Sequence, residues 1–128
     1  MARILIVDDD PGSMDLTLRI VRLEKHEPIT TADGETALAV AFAVRPDLIL
    51  LDLHIPKLDG WSFVTRFREE AWAKRVPVIA VSASATLPER ELALLAGCDD
   101  FLAKPFYPDG LRAILEKHLR TAVVTLTP

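Results

Sequence analysis

A chain of 128 residues, half of them hydrophobic, has the size and apolar content of one folded domain and excludes disorder as its resting state. Its formal charge of −4 and scattered basic residues argue against a nucleic-acid surface. The one cysteine, Cys98, excludes an intrachain disulfide framework; beside Gly97 it reads as a small buried hydrophobe. The opening Met1-Ala2-Arg3 has no signal-peptide pattern, and the apolar runs are far too short to span a bilayer. A soluble cytoplasmic protein is expected, with no membrane contact.

Strand and helix patterns then alternate along the chain. Residues 2–7 form a first strand, and Pro11 opens a helix to about Glu24, its missing N–H being no loss in a first turn. Leu16, Ile20 and Leu23 recur at helical spacing and predict its buried face. Residues 28–31 form a short strand that Pro28 assigns to a sheet edge. A helix over 35–44 follows, with Leu38, Ala41 and Phe42 toward the sheet, and Pro46 ends it. Residues 47–52 are apolar on both faces and predict a central strand.

After the loop 54–58, Asp59 caps a helix to about Ala73 whose core face is Phe63, Val64 and Phe67. A strand over 76–81 precedes a helix over 88–96, stopped by Gly97 in a left-handed position. A strand over 99–103 and a helix over 109–120, with Leu111, Ile114, Leu115 and Leu119 apolar, complete five βα units. Parallel strands need helical crossovers, so the class is α/β with helices on both faces of one parallel sheet. Residues 1–121 form the domain, and 122–128 a tail without an assigned role.

Polar groups stand at the ends of these strands. Asp8-Asp9-Asp10 follow the first, Asp52 closes the third, Ser82 follows the fourth and Lys104 the fifth. Ligand sites of parallel sheets lie beyond the carboxyl ends of the strands, so these groups converge on one edge. Clustered carboxylates repel and call for a cation. A hard divalent ion such as Mg²⁺ fits oxygen ligands and retains several waters. Asp52 then suits two tasks, metal ligand and carboxylate nucleophile toward a phosphoryl group. Lys104 and Ser82 would contact the phosphoryl oxygens. A metal-ligating His54 imidazole is a poor match for hard-oxygen ligands, and a plain exposed loop residue is the simpler reading.

Five segments carry a family resemblance: Ile4 to Pro11, Pro46 to Asp52, Ile55 to Gly60, Pro77 to Ala83, and Lys104-Pro105-Phe106. In their order and spacing the chain resembles the receiver domain of two-component response regulators, from Arg3 to about Leu119. The resemblance implies a flavodoxin-like (βα)5 fold with strand order 2-1-3-4-5. It also implies Asp52 as phosphoacceptor, Asp9 as direct Mg²⁺ ligand, Asp8 acting largely through water, and the His54 backbone carbonyl completing the site, with Mn²⁺ as a substitute ion. Lys104, Ser82 and the Ala83 backbone N–H would bind the phosphoryl group, Ser82 and Phe101 would act as the switch pair, and Lys104–Pro105 would be cis. Phe101 stands where many members carry tyrosine.

By the same resemblance the protein is a switch and not a conventional enzyme. The donor would be a sensor histidine kinase or a histidine phosphotransfer protein. The output would pass to a protein partner through the face formed by residues 88–96, 99–103 and 109–120, or the phosphoryl group would be relayed onward, with the protein a monomer or a phosphorylation-dependent dimer. No nucleic acid is bound directly. Two other readings compete. A haloacid-dehalogenase-type phosphatase would want a carboxylate at position 54, and a degenerate receiver would lack the intact Asp9, Asp52, Ser82 and Lys104.

Overall fold

A computed structural model describes the backbone of residues 1–126 and the side chains of residues 1–119. Five parallel strands run β1 (Arg3–Val7), β2 (Glu27–Thr31), β3 (Leu48–Asp52), β4 (Val78–Ser82) and β5 (Asp100–Ala103), in the order β2-β1-β3-β4-β5. Helices α1 (Pro11–Leu23), α2 (Gly34–Val44), α3 (Gly60–Phe67), α4 (Leu87–Ala96) and α5 (Pro108–Leu126) connect and cover them. The expected class and strand order are met, with β3 central and the Pro28-bearing strand at an edge. Among the described residues no helix is long and apolar enough to cross a membrane.

The period of two along each strand divides the core. Leu5, Val7, Ile49 and Leu51 pack with Ala37 and Ala41 of α2, Phe63, Val64 and Phe67 of α3 and Ala93 of α4. Ile4, Ile6, Leu48 and Leu50 pack on the other face with Ile20 and Val21 of α1 and Leu111 and Leu115 of α5. Every residue of β3 and β4 is buried, as a strand covered on both faces requires. Three helices begin on aspartate caps: Asp10, Asp33 and Asp59 accept the backbone N–H of Ser13, Thr36 and Ser62. Each such cap contributes about 1 kcal/mol. Gly97 ends α4 with φ 121°.

Several expectations need correction. The buried face of α1 is Thr17, Ile20 and Val21, while Leu16 and Leu23 are exposed. The Thr17 hydroxyl donates to the Ser13 carbonyl within its own helix, which lets a polar residue enter the core and rotates the true stripe away from the leucines. Phe42 turns aside from the sheet to stack on Phe67 and meet the edge of Trp72. The third helix stops at Phe67, short of Ala73, and a 3₁₀ turn follows at Trp72–Arg75. Arg68 is the cause. Its guanidinium donates to the carbonyls of Ala73, Val76 and Gly97 and pairs with Asp99, so long-range bonds override local helix propensity. The last helix continues as backbone to Leu126 and so runs through much of the segment 122–128, whose side chains, with residues 127–128 entirely, lie outside the described residues.

The loop after β3 is seated by two glycines. A Cβ on Gly34 would overlap the Leu58 carbonyl, and one on Gly60 would stand 2.6 Å from Leu53 Cα. Both contacts are with backbone, which cannot rotate away. Replacing Gly34 with Ala should destabilise the domain by about 1–3 kcal/mol, the usual cost of overpacking. Chemical denaturation checks this; an unchanged midpoint would show that the loop yields.

Candidate functional site

Parallel register brings the strand ends level. Val7 pairs with Leu51, Asp52 with Val81, and Ser82 with Ala103. Asp8, Asp52, Ser82 and Lys104 therefore leave the sheet at one edge. Asp8 and Asp52 are 6% and 8% exposed, Ser82 is fully buried, and Asp9 is exposed. One carboxylate oxygen from each of Asp8, Asp9 and Asp52 lies within 4.8 Å of the others. This donor set can hold a metal ion, and its hard oxygens suit a hard divalent cation.

Lys104 reaches into the same cluster. Its Nζ donates to Asp8 Oδ2 and Asp52 Oδ2, each at 2.9 Å. The second oxygens are engaged by backbone: Asp8 Oδ1 accepts the Asp10 N–H and Asp52 Oδ1 the His54 N–H, both at 2.9 Å. The repulsion between Asp8 and Asp52 is thus offset in part by a protein cation, which does not reach Asp9. Burial pulls the Lys104 ammonium down, but its hydrogen bonds to Asp8 and Asp52 outweigh this and raise its pKa above the usual lysine value. The Lys104–Pro105 peptide is cis. An open cleft of about 270 Å³ adjoins Asp8, Asp9 and Asp10, lined also by Pro11, Met14 and Thr30.

The other expected residues are placed unevenly. His54 is more than a free loop residue: its imidazole is 55% exposed, yet Nε2 lies 2.6 Å from Glu89 Oε1 and its ring meets the edge of Trp61. The Ser82 hydroxyl is directed at Glu89 Oε1, 3.2 Å away, and accepts the Ser84 N–H. Ala83 continues from the end of β4 and is exposed. Phe101 is half-buried under the Arg90 guanidinium, which sits 4.9 Å above its ring. Asp10 turns its carboxylate to the α1 cap, where it accepts the Ser13 N–H. Cys98 is buried, and desolvation pushes its thiol up to about 12.

Sequence reasoning passed over Glu89 and Arg90. An acid just after Pro88 reads only as a complement to the helix dipole. Glu89 meets residues 7 and 35 positions away, which no local period signals.

With this geometry established, comparison with known proteins identifies the class. The family model of the response regulator receiver domain matches residues 4–116, and the chain belongs to that family, in two-component signal transduction. It is 42% identical over 125 residues to the transcriptional regulatory protein PrrA of Mycobacterium leprae (strain TN), covering 98% of this chain and 53% of that protein. The chain spans about half the length of curated relatives such as this one. A similar solved structure is the receiver domain of sensor histidine kinase PA1611 from Pseudomonas aeruginosa PAO1, with a magnesium ion coordinated in its active site cleft. It is 37% identical with a TM-score of 0.85, covering 91% of this chain and 95% of that one. The chemotaxis response regulator CheY4 of Vibrio cholerae is 29% identical with a TM-score of 0.87, covering 92% and 98%.

Lys104 should be a stability element in the metal-free domain. Replacing it with Ala leaves two buried carboxylates uncompensated and should cost about 3 kcal/mol at neutral pH. A raised folded pKa means that this contribution is fully present below about pH 10.4 and disappears as pH climbs through the folded value. Denaturant melts of wild type and Lys104→Ala at intervals from pH 7 upward test this; equal stabilities at pH 7, or a gap that widens as pH rises, would contradict it.

Proposed function

We propose that Asp52 accepts a phosphoryl group from a phosphohistidine donor and that the protein is a signalling switch, without turnover of an external substrate. The observation that carries this reading is the meeting of Asp8, Asp9 and Asp52 oxygens within 4.8 Å at one sheet edge, with the Lys104 ammonium on two of them. An Asp52 carboxylate oxygen attacks phosphorus in line, the P–N bond to the donor imidazole breaks, and the leaving imidazole takes up a proton. Asp8, Asp9, Asp52 and the His54 carbonyl would hold Mg²⁺, with Mn²⁺ as an alternative. When bound, this ion offsets the negative charge of the transferring group. Three carboxylates on hard-oxygen terms fit such an ion, and Lys104 supplies the second positive charge. Lys104, the Ser82 hydroxyl and the Ala83 N–H then receive the phosphoryl oxygens.

Ser82 and Phe101 would transmit the change to the face of α4, β5 and α5. Acylation exchanges the single carboxylate charge of Asp52 for a phosphoryl group with about one more negative charge and three acceptor oxygens, and this local charge event biases a two-state element. The Phe101 ring lacks a hydroxyl, so its part is a change of packing. The partners are a histidine kinase or histidine phosphotransfer protein on the input side and an output protein on the α4-β5-α5 face, in the cytoplasm. Signalling in this reading proceeds through protein contact, as a monomer or a phosphorylation-dependent dimer, with no direct hold on nucleic acid. A haloacid-dehalogenase-type phosphatase is disfavoured because position 54 offers an imidazole bound to Glu89 in place of an acid.

Incubation with acetyl phosphate and Mg²⁺ should add one phosphoryl group to the wild-type protein and none to Asp52→Asn, read by intact-mass spectrometry. Repeated hydrolysis of a generic phosphomonoester would instead point to the phosphatase. Mg²⁺ should raise the melting temperature by mass action. Asp9→Ala should abolish that rise while increasing metal-free stability, since one member of a like-charged cluster is removed. A lower metal-free melting temperature for Asp9→Ala would count against the electrostatic account.

A further inference from the structure

Glu89 is a largely enclosed carboxylate that the phosphoryl chemistry does not use. Its side chain is 12% exposed, in the first turn of α4. Oε1 lies 2.6 Å from the His54 ring nitrogen and 3.2 Å from the Ser82 hydroxyl. The Ser82 hydroxyl donates to this Glu89 oxygen, which the His54 ring also contacts.

A serine hydroxyl has one proton. In this arrangement that proton is committed to Glu89, while the Ser82 oxygen accepts the Ser84 N–H. Ser82 is also fully buried, so water does not supply an alternative partner. Donation to a phosphoryl group on Asp52 therefore requires that the bond to Glu89 be given up. The next residue, Arg90, covers the Phe101 ring and donates to the Ala85 carbonyl. Consecutive residues of one helical turn thus engage Ser82 and Phe101 together.

We propose that Glu89 is a positioning residue that holds the Ser82 hydroxyl in its resting orientation, tying it to His54 and α4, and so sets the affinity of the Asp52 site for a phosphoryl group. The proposal rests on the reading of Asp52 as phosphoacceptor. Glu89 competes with the phosphoryl oxygens for a single proton, and its hydrogen bond is one that activation breaks. Removing the competitor makes the active arrangement easier to reach. The bond to His54 adds a second anchor, so that release of Ser82 also loosens the loop after β3 from α4.

The test is the dissociation constant for beryllofluoride with Mg²⁺, measured by calorimetry on the full chain. Wild type should bind and Asp52→Asn should not. Glu89→Ala should bind roughly threefold to tenfold more tightly, the net scale of one ordinary hydrogen bond. Glu89→Gln keeps an acceptor oxygen and should tighten binding less. If Glu89→Ala fails to fold, Glu89→Gln decides, since any loss of affinity in it would overturn the proposal. In a Ser82→Ala background Glu89→Ala should have no effect, an epistasis that a merely structural helix residue would not produce. Wild-type binding with an unchanged or weaker Glu89→Ala would overturn the proposal and leave the phosphoacceptor reading standing. Equal tightening with and without Ser82 would also overturn it. Absence of wild-type binding would remove both together.

Discussion

The fold converges on one ammonium held between two carboxylates. Lys104 comes from the end of the fifth strand, Asp8 from the end of the first and Asp52 from the third, and their Nζ–Oδ2 distances are both 2.9 Å. The two acids lie 96 and 52 positions from the lysine in the chain, so only the assembled parallel sheet brings them together. Burial sharpens the requirement. Charges removed from water destabilise unless paired, and here each carboxylate oxygen that Lys104 leaves free accepts a backbone N–H. The resting site is consequently a satisfied network with one exposed acid, Asp9, at its rim.

The same network explains why the sheet is built as it is. β3 and β4 are apolar along their whole length except for their last residues, Asp52 and Ser82. Helices on both faces exclude water from everything below those residues. The chemistry is thereby confined to the loops at one end, where Gly34 and Gly60 let the segment after β3 approach the neighbouring backbone. Packing fixes where the charged groups stand, and the loops retain the freedom that a change of partners needs.

Much of this was legible in the residue order, because strand ends are marked by a simple transition from apolar run to polar group. Asp8, Asp9, Asp52, Ser82 and Lys104 all carry that mark, and the fold gathers them at one edge. The helices were harder. Thr17 hides its hydroxyl within α1, so a reading that treats threonine as polar chooses the wrong stripe. Arg68 ends α3 through bonds to carbonyls and a carboxylate up to 31 residues away, which local propensity does not contain. Glu89 was missed for the same reason: its meaning lies in what reaches it across the gap between β3, β4 and α4.

Arg68 and Glu89 also divide the behaviour of α4 between its two ends. At the far end the guanidinium grips the Gly97 carbonyl with two nitrogens while fastening the approach to β4 and the start of β5. At the near end the attachments are a hydroxyl, an imidazole and an arginine resting on a ring. With one tip clamped and the other more lightly held, any release of the near end would displace the first turn furthest, and that turn carries the exposed Leu87.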